Sequence, residues 1–564
     1  MHTISNSVVK KDHAPKMEGR SVYVCDIDKH GILCGKILRS KYARAKLLSV
    51  KVPELPDGYY YVDRNDVPGD NNVNIVMDDT PVYARETVEY IGEPIGMVCG
   101  PDEAVCEDIL RRIEVEYEEL DPMLDLRKAD EVFFNYEYEK GDIDKAFAEA
   151  DKVYTEEFET GYQDQTYLET QGMMAEPEEG GRMFVHGSMQ CAYYVHGAVM
   201  RALNCGPADV HVHQDVTGGG FGAPQAFFAV EMMMDHIAKD LGVDTLEFKE
   251  AHLVKQGDAT STSGKYHFPV PLPAMVDEVD KACDLRRKHK EYAKPQTGRY
   301  RRGIGFSMHF HGTGFTGSGE RDLIKAVARL HKYKDGTVEI LASNGEIGQG
   351  LRTTFPKIVA HELNLPLEKV FYDHPDTSRV PDSGPTVASR SLMTVGELLR
   401  RAAIKLRTEW KDGEDQIVEE KFVEPDFMIP FYLDKFRGDA YPTYAWGAQA
   451  IEVEVDTYTG IAKILGAYAS FDVGTPMDYN IVMGQMEGGF LQGIGYASTE
   501  FMNYDNKGRI RNNSFSDYLI PTAVDVPVLN CQLHVEEYPF GPYGAKGAGE
   551  LPLVGAAKGG NGLW

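Results

Sequence analysis

The sequence predicts a multidomain α+β protein in which strands and helices alternate along the whole chain. Its 564 residues, of which 42% are hydrophobic, are enough to form several buried cores. Short apolar runs broken by Gly and Asp indicate strands at 22–27, 32–38, 45–52 and 91–98. The chain contains no low-complexity tract and no repeat of roughly 20 to 50 residues, so solenoid architectures are excluded.

Helix caps, turn residues and a charged linker divide the chain into three predicted regions. Asp102 is placed to cap a helix over 102–112, the strand 113–117 follows, and a charged linker begins at Asp121-Pro122, which predicts a first domain at 1–126. The region 140–290 contains a predicted helix at 142–150, an alternating strand at 153–160 and a helix at 225–241 that ends at Gly242.

The last region, 300–564, opens with a predicted strand at 304–310. A hairpin is predicted at 326–331 and 337–342 around a Lys-Asp-Gly turn. Ser389 is placed to cap a helix that runs to Leu406.

Charge and cysteine content limit the partners. The chain has 59 basic and 88 acidic residues, a formal charge of −29, which repels nucleic acid and anionic membranes. Its first residues lack the apolar core of a signal peptide and no apolar stretch is of bilayer length, so we expect a cytoplasmic protein with neither partner. Eight scattered cysteines form no C-x-x-C pair, so electron-transfer clusters would have to come from another chain.

Five segments combine clustered glycines with an amide or an acid, at 216–222, 344–350, 384–390, 484–495 and 541–552. Glycine lets backbone amides approach a bound group closely, which suits a polar cofactor with phosphate and many heteroatoms. In the last segment, G-P-Y-G-A-K-G-A-G-E-L-P, the single carboxylate of Glu550 is placed as a general base. The alternative for Glu550 is a solvated side chain on a surface loop.

Other motifs have competing interpretations. The run 484–495 also fits a helix whose small residues permit close packing, and Gln349 and Gln485 also fit solvated turn residues. The spelling G-x-G-x-x-G at 312–317 matches a dinucleotide site, but the predicted hairpin after it leaves no crossover helix. His-x-His pairs at 211–213 and 309–311 suggest a metal site, yet without a third ligand structural histidines are favoured.

Taken in order, the glycine segments resemble the molybdenum-cofactor-binding subunit of the xanthine dehydrogenase and aldehyde oxidase family. The matching motifs are G-Q-G at 348–350, G-P-T-V-A-S-R at 384–390, G-Q-x-x-G-G-F-x-Q-G-x-G at 484–495 and G-A-K-G-A-G-E at 544–550. The likeness covers nearly the whole chain. It implies an N-terminal α/β hammerhead domain to about residue 126, followed by two mixed α/β molybdopterin-binding regions.

The resemblance also implies roles for individual residues. Glu550 matches the general base of the family, and Phe315 and Thr316 match its substrate pocket. The metal would be held through the pterin dithiolene and not by protein ligands. The residues implied to contact the cofactor are Gln190, Gly220, Phe221, Gly222, Gly348, Gln349, Gly350, Ala388, Ser389, Arg390 and Gln485.

By the same resemblance, the protein would be a molybdenum hydroxylase that adds water-derived oxygen to an N-heteroaromatic compound, with purines such as xanthine favoured, or to an aldehyde. The cofactor would be molybdopterin, with its cytosine dinucleotide form as an option. Partner subunits would carry 2Fe–2S clusters and FAD. The alternatives are a relative acting on nicotinate, another heterocycle or an aromatic thioester, and a non-catalytic remnant that keeps part of the cofactor surface.

Three departures from the family pattern favour the remnant. The glycine loop 218–222 continues directly into Ala223-Pro224-Gln225, as though two family segments were joined at a shared G-F-G and a domain-sized stretch were deleted. Gln165 stands where many relatives have His. The chain ends at Trp564, where relatives continue, so a shortened carboxyl end is also expected.

Overall fold

The computed structural model describes residues 3–73, 78–222, 225–315 and 318–555. The α-helices are α1 His13–Met17, α2 Glu103–Arg112, α3 Ile143–Glu149, α4 Ala192–Leu203, α5 Gln225–Asp240, α6 Thr245–Ala251, α7 Leu272–Cys283, α8 Leu285–Tyr292, α9 Leu351–Leu363, α10 Gly396–Glu409 and α11 Tyr479–Ser498. Short 3₁₀ turns lie at Thr3–Ser5, Val24–Asp26, Leu126–Lys128, Leu367–Lys369 and Pro542–Gly544, and π-helical turns at Gly319–Ile324 and Ser391–Val395.

The strands are β1 Cys34–Arg39, β2 Ala45–Lys51, β3 Tyr60–Asp63, β4 Asn72–Val73, β5 Thr80–Pro81, β6 Thr87–Val88, β7 Pro94–Gly100, β8 Glu114–Glu119, β9 Met173–Pro177, β10 Met183–Gly187, β11 Val210–Gln214, β12 Tyr300–Thr313, β13 Val327–Lys332, β14 Val338–Leu341, β15 Val370–Phe371, β16 Gln416–Lys421, β17 Thr443–Asp456, β18 Ala462–Asp472 and β19 Leu529–His534. This mixture of strands and helices confirms the predicted α+β class.

The amino-terminal domain contains two small antiparallel sheets, in the orders β1-β7-β3 and β6-β2-β8. Helix α2 packs on them through Cys106 and Ile109, both fully buried. Asp102 accepts a hydrogen bond from the Val105 amide at 3.0 Å, which confirms the predicted cap. The strand predicted at 22–27 is wrong: residues 24–26 form a 3₁₀ turn, and Val22 is more than half exposed, with no described strand beside it.

Residues 4–11 pack against the carboxyl-terminal half. Ile4 is buried in the core around α9, and the Val8 amide donates to Asp478 at 2.9 Å. Lys357 donates to the Asn6 carbonyl at 2.7 Å and to Asp478 at 2.8 Å. The first residues of the chain therefore brace the region that carries four of the five glycine segments.

The middle of the chain contains a three-stranded sheet in the order β11-β10-β9, with α4 packed on it. The residues between β8 and β9, 121–172, form a long segment that we call the strap. Helix α3 confirms the helix predicted at 142–150, and α5 confirms the one predicted at 225–241. The strand predicted at 153–160 is wrong, because no other strand lies beside this stretch in the described part of the chain.

The carboxyl-terminal half is built on two four-stranded sheets, in the orders β12-β17-β18-β19 and β15-β14-β13-β16. Antiparallel β13 and β14 confirm the predicted hairpin. Strand β12 pairs along its full length with antiparallel β17 and is followed by a π-helical turn, so the glycines after it do not belong to a parallel dinucleotide-binding fold. Among the described helices, none combines the length and the apolarity needed to cross a bilayer.

Candidate functional site

Glu550 lies where three distant glycine segments meet. The Ser389 hydroxyl donates to Glu550 Oε2 at 2.8 Å and accepts from the Glu550 amide at 3.3 Å. A Cβ atom added to Gly222 would lie 3.4 Å from Glu550 Cγ, so the first glycine loop reaches the same carboxylate. The segments 216–222, 384–390 and 541–552 are thus brought together around one acid.

The turn that carries Ser389 has an uncommon backbone. Ala388 and Ser389 both adopt left-handed conformations, with φ of 53° and 51°. Such conformations are unfavourable for residues with a side chain, and they persist where the surrounding structure fixes them, often at functional sites. The predicted helix cap at Ser389 is wrong, because the helix starts with the π-helical turn after Arg390 and the Ser389 hydroxyl binds Glu550 instead.

Gly220 joins the first glycine loop to the 344–350 loop. An added Cβ would lie 2.6 Å from Ile347 Cδ1 and 2.8 Å from Gln190 Nε2, so only glycine fits without a shift of these side chains. Gln190 Nε2 also donates to the Thr386 carbonyl at 3.1 Å. Gln190 therefore lies between three of the predicted cofactor segments.

Inside the 344–350 loop, several groups predicted to face a cofactor are bonded to the loop itself. Gln349 accepts from the Ile347 amide at 2.7 Å and donates to the Gly345 carbonyl at 2.9 Å. The Glu346 carboxylate accepts from the Gly348 and Gly350 amides at 2.7 and 2.9 Å. These contacts fix the loop at the start of α9.

Gln485 occupies the middle of the α11 face that spans the site. One turn before it, Ile481 packs on Gly350; one turn after it, Gly489 packs on Pro552, where an added Cβ would lie 2.5 Å from Cγ. Gln485 is half-buried, and its amide makes no hydrogen bond to the residues that the structure describes. It is thus placed between the 344–350 loop and the Glu550 segment.

Arg390 is fully buried and bound to Glu320. Its Nε and Nη2 atoms donate to the Glu320 carboxylate at 2.8 and 2.6 Å, and Nη1 donates to the Pro385 carbonyl at 2.9 Å. The guanidinium thus holds the 384–390 loop onto the 319–324 turn.

The two predicted substrate-pocket residues are not both described. Phe315 lines a cavity of about 300 Å³ together with Met393 and Phe540, and Glu550 is not among the residues that line it. Thr316 lies outside the described residues, as does Ala223 at the predicted junction.

His311 and Gln214 are site residues that sequence reasoning did not assign. His311 Nε2 lies 3.5 Å from Glu550 Oε2. The fully buried Gln214 amide donates to the Met189 carbonyl at 2.7 Å and to the Glu346 carbonyl at 3.2 Å, which ties β11 to the 344–350 loop. The only sequence signals are the His-Phe-His alternation of β12 and a polar residue that ends an apolar strand.

Within the part of the chain that the structure describes, neither histidine pair has a third ligand for a metal. His309 is buried, which lowers its pKa to about 4, while His311 faces the carboxylate of Glu550. His213 lies 3.9 Å from Asp215. No group of three or more His, Cys, Asp or Glu side chains that could hold a metal ion occurs within the described ranges.

The strap holds the first glycine loop. Glu169 accepts a hydrogen bond from the Gly218 amide, and burial raises the pKa of this carboxyl. The ring of Tyr167 stacks on Phe221 with centroids 5.5 Å apart. The position of the 218–222 loop therefore depends on the end of the strap.

Protein-family models match most of the chain. Residues 18–121 match the aldehyde oxidase and xanthine dehydrogenase a/b hammerhead domain. Two models of a molybdopterin cofactor-binding domain match residues 126–223 and 220–253, and residues 278–423 and 414–527. The chain belongs to the xanthine dehydrogenase and aldehyde oxidase family of molybdenum-dependent oxidoreductases. The hammerhead domain followed by two molybdopterin-binding domains is thereby confirmed, while the boundaries 1–126, 140–290 and 300–564 stay predictions.

Individual relatives are distant but align over nearly the whole chain. A probable xanthine dehydrogenase subunit of Bacillus subtilis is 26% identical over 712 residues, covering 97% of this chain and 94% of the relative. Xanthine dehydrogenase/oxidase of Gallus gallus is 25% identical, and the alignment covers 99% of this chain and 51% of the relative. Because the alignment is 712 residues long and the chain has 564, at least 148 positions of the relative (712 − 564) have no counterpart in this chain.

Solved structures share the fold. The Cu,Mo-CO dehydrogenase superposes with a TM-score of 0.85 at 19% identity, covering 98% of this chain and 94% of that one. Quinoline 2-oxidoreductase from Pseudomonas putida 86 gives 0.85 at 18% identity, covering 99% and 94%. These two enzymes are named for different substrates.

Proposed function

We propose that this chain is the molybdenum-binding subunit of a cytoplasmic hydroxylase that adds water-derived oxygen to an N-heteroaromatic compound, with purines favoured, or to an aldehyde. The observation that carries the proposal is Glu550, a lone carboxylate held by Ser389 at the meeting point of three glycine segments. This is the arrangement expected of a general base placed against a cofactor. Nicotinate, other heterocycles and aromatic thioesters are the alternative substrates.

The two carboxylate oxygens of Glu550 have different surroundings and therefore different proposed roles. Ser389 and His311 both lie at Oε2, which fixes the carboxylate and leaves Oε1 on the side of Gly222. Oε1 is then the atom that accepts a proton from the attacking water-derived hydroxyl. The Glu550 side chain is 37% exposed, so the proton can pass on to solvent.

The residues around Glu550 fit a pterin cofactor at one end. Gly220 leaves no room for a side chain beside Ile347 and Gln190, and Gly222 lies within van der Waals range of Glu550, so main-chain amides can approach a bound group there. When bound, molybdopterin supplies the two-electron redox chemistry. We assign Gln190, Ser389 and the backbone of 220–222 to hold it, with Gln485 reaching it from α11.

The residues predicted to bind the phosphate of the cofactor fit that role less well. Arg390 is fully buried and uses three of its five N–H donors on Glu320 and Pro385, so we propose that it acts by fixing the loop, while the backbone of Ala388 and its neighbours meets the cofactor. The amides of Gly348 and Gly350 are bonded to Glu346, which leaves the loop shape as their contribution. The cytosine dinucleotide form, and the roles of Phe221, Gln349, Phe315 and Thr316, remain part of the proposal.

A bound molybdenum cofactor would need other chains to carry its electrons away. The eight cysteines are all free and scattered, so we propose partner subunits with 2Fe–2S clusters and FAD. The Bacillus subtilis relative is itself named as one subunit of an enzyme, which supports this organisation.

A non-catalytic remnant is the second candidate, and one observation favours it. The first molybdopterin-domain model matches in two pieces that share residues 220–223, the position at which the sequence suggests a deletion. A missing stretch at this point would remove groups that orient a substrate. The proposal therefore requires a test that separates cofactor binding from turnover.

Molybdenum and pterin content of the purified chain, followed by bleaching with purine and aldehyde substrates, provides that test. We expect stoichiometric cofactor and substrate-dependent bleaching. Glu550→Gln should keep the cofactor and slow bleaching by roughly 10²–10⁴-fold, while Glu536→Gln, outside the site, should change neither. A folded chain that binds no cofactor would refute the enzyme and support the remnant.

A further inference from the structure

A row of polar side chains lies on one face of the β12–β17 pair. Ser307, His309 and His311 alternate along β12, so all three are on the same face, and Gln449 of β17 lies opposite Ser307 in the register. We call these four residues the polar row. Ser307, His309 and Gln449 are nearly inaccessible to solvent, at 1%, 3% and 1% exposure. Buried polar groups cost free energy unless they are bonded, so their partners indicate what the row does.

Two members of the polar row bind the helical turn 551–555, which directly follows the proposed base. The Ser307 hydroxyl donates to the Gly555 carbonyl at 3.0 Å. The Gln449 amide donates to the Pro552 carbonyl at 2.7 Å. Both bonds are buried, and they join positions 248 and 103 residues apart in the chain. They therefore fix the backbone of the turn on the sheet.

His309 makes the third buried contact with this turn. Its imidazole donates to the Leu551 carbonyl, and a Cβ atom added to Gly555 would lie 2.3 Å from Nδ1, so the Nδ1 edge faces the turn. The opposite edge lies on Gly447, where an added Cβ would be 2.3 Å from Nε2. Nε2 is buried and has no hydrogen-bond partner among the described residues. An apolar side chain would avoid this unpaired atom, so the imidazole contributes through Nδ1.

His311, the more exposed end of the row, reaches the carboxylate of Glu550 itself. Its Nε2 atom lies 3.5 Å from Oε2, the oxygen that Ser389 also binds. The chain before Glu550 is anchored as well, because buried Lys546 pairs with Asp472 at 2.5 Å. Glu550 thus lies between two fixed points, the Lys546 ion pair before it and the polar row after it.

We propose that His309 is a positioning residue: through Leu551 it sets the direction in which the Glu550 carboxylate points, and the other members of the polar row support it. The His-Phe-His motif of β12 is then explained by this role instead of metal binding. That Glu550 acts as a base rests on the proposed function, whereas its placement by the row can be measured in the chain without cofactor.

Carbodiimide labelling of Glu550 in the full-length chain, followed by peptide mass spectrometry, measures how firmly the carboxylate is held. Glu131, exposed on the strap, serves as the internal reference. His309→Leu removes the donor to Leu551 and should raise the labelling rate of Glu550 about tenfold, the effect of losing one buried hydrogen bond. His309→Asn keeps an N–H near the position of Nδ1 and should leave the rate within about twofold of the parent chain.

The two His309 variants separate positioning from packing. Leu fills about the volume of the imidazole, whereas Asn leaves a gap, so packing alone predicts faster labelling of Glu550 in His309→Asn. The hydrogen bond predicts faster labelling in His309→Leu. Equal rates in the two variants, or the faster rate in His309→Asn, would overturn the proposal. His331→Leu, on β13 outside the row, is the control and should not change the labelling of Glu550.

Gln449→Met is an independent test that does not depend on the folding of His309→Leu. The Gln449 Oε1 atom is buried with no hydrogen-bond partner in the described structure, so Met removes an unpaired acceptor together with the bond to Pro552. This variant should fold and should also label faster at Glu550. An unchanged rate would contradict the role of the polar row.

A last measurement keeps the positioning role apart from the proposed function. In the cofactor-loaded chain, His309→Leu should slow substrate-dependent bleaching at unchanged molybdenum content, and His309→Asn should restore most of the rate. Failure of the parent chain to bind molybdenum would refute the proposed function, whereas the labelling rates decide the positioning role by themselves.

Discussion

The two molybdopterin-binding parts of the molecule differ in how their polar groups are satisfied. In the carboxyl-terminal part, buried ion pairs such as Arg390–Glu320 and Lys546–Asp472 lie between segments far apart in the chain. In the strap, salt bridges are exposed, and backbone groups over eleven residues have no protein partner in the described structure. Burying a charge is tolerated only with full pairing, so the first pattern is that of a packed core and the second is that of a surface segment.

The largest effect should come from breaking the buried pair. Arg390→Met leaves the buried Glu320 carboxylate without its partner, which typically costs about 3–5 kcal/mol. Urea unfolding, followed by exchange of the β13 and β14 amides, measures this loss. Arg390→Met with Glu320→Leu should recover most of the stability, and an equal loss in the single and double variants would contradict the assignment.

The same substitution, Phe to Ala, can be made in the carboxyl-terminal core and in the strap, and its cost in stability compared. Phe355→Ala, in a fully buried position, should destabilise the carboxyl-terminal half by about 3–5 kcal/mol. Phe158→Ala should cost about 1 kcal/mol or less, because the strap side chain is only half-buried against α5. Local exchange free energies in the two regions measure both. Similar losses would show that the strap is packed as firmly as the core.

The end of the strap should respond to pH through Glu500. Burial raises the pKa of Glu500 to about 7 from an ordinary value of 4.5. The folded state therefore prefers the protonated acid, and this contribution is present in full below pH 4.5 and lost as pH rises to about 7, a change of roughly 3 kcal/mol. The Gln163 side chain donates to the Glu500 carbonyl at 3.5 Å, which couples the strap to it. Glu500→Gln should flatten the pH dependence of unfolding, and an unchanged slope would count against this.

The smallest expected effect comes from replacing two glycines of α11 by alanine, one packed and one exposed. Gly489 packs on Pro552, so Gly489→Ala should destabilise the Glu550 segment by about 1–3 kcal/mol. Gly484 faces open space, and Gly484→Ala should stabilise the helix by about 0.5–1 kcal/mol through its helix propensity. Thermal unfolding measures both variants: the melting temperature should fall for Gly489→Ala and rise for Gly484→Ala. A fall in both would show that Gly484 is also needed for close packing.

Local patterns predicted much of the fold. The cap at Asp102, the β13–β14 hairpin and the helices α3, α5 and α11 follow from side-chain periodicity and turn residues, which act over a few positions. The strand at 153–160 was mispredicted for a non-local reason: alternation identifies a strand-forming sequence, but a ladder requires a neighbour, and here none is present in the described chain.

In the candidate site, too, some features could be predicted from the sequence and others could not. The glycine segments and Glu550 were recognisable because close backbone approach requires glycine, and the structure brings Glu550, Ser389, Gly222, Gly220 and Gln190 together. Their roles in holding the cofactor stay predictions. His311 was missed as a neighbour of Glu550, and Arg390 was expected to face a phosphate but is buried on Glu320.

The sequence by itself determined the family, the α+β architecture and the small residues that leave space around one carboxylate. Tertiary structure alone decided which polar atoms are already bonded within the chain and which strand lacks a neighbour. The reason is physical: propensity and steric allowance depend on residues near in sequence, whereas hydrogen-bond partners and burial depend on segments hundreds of residues apart.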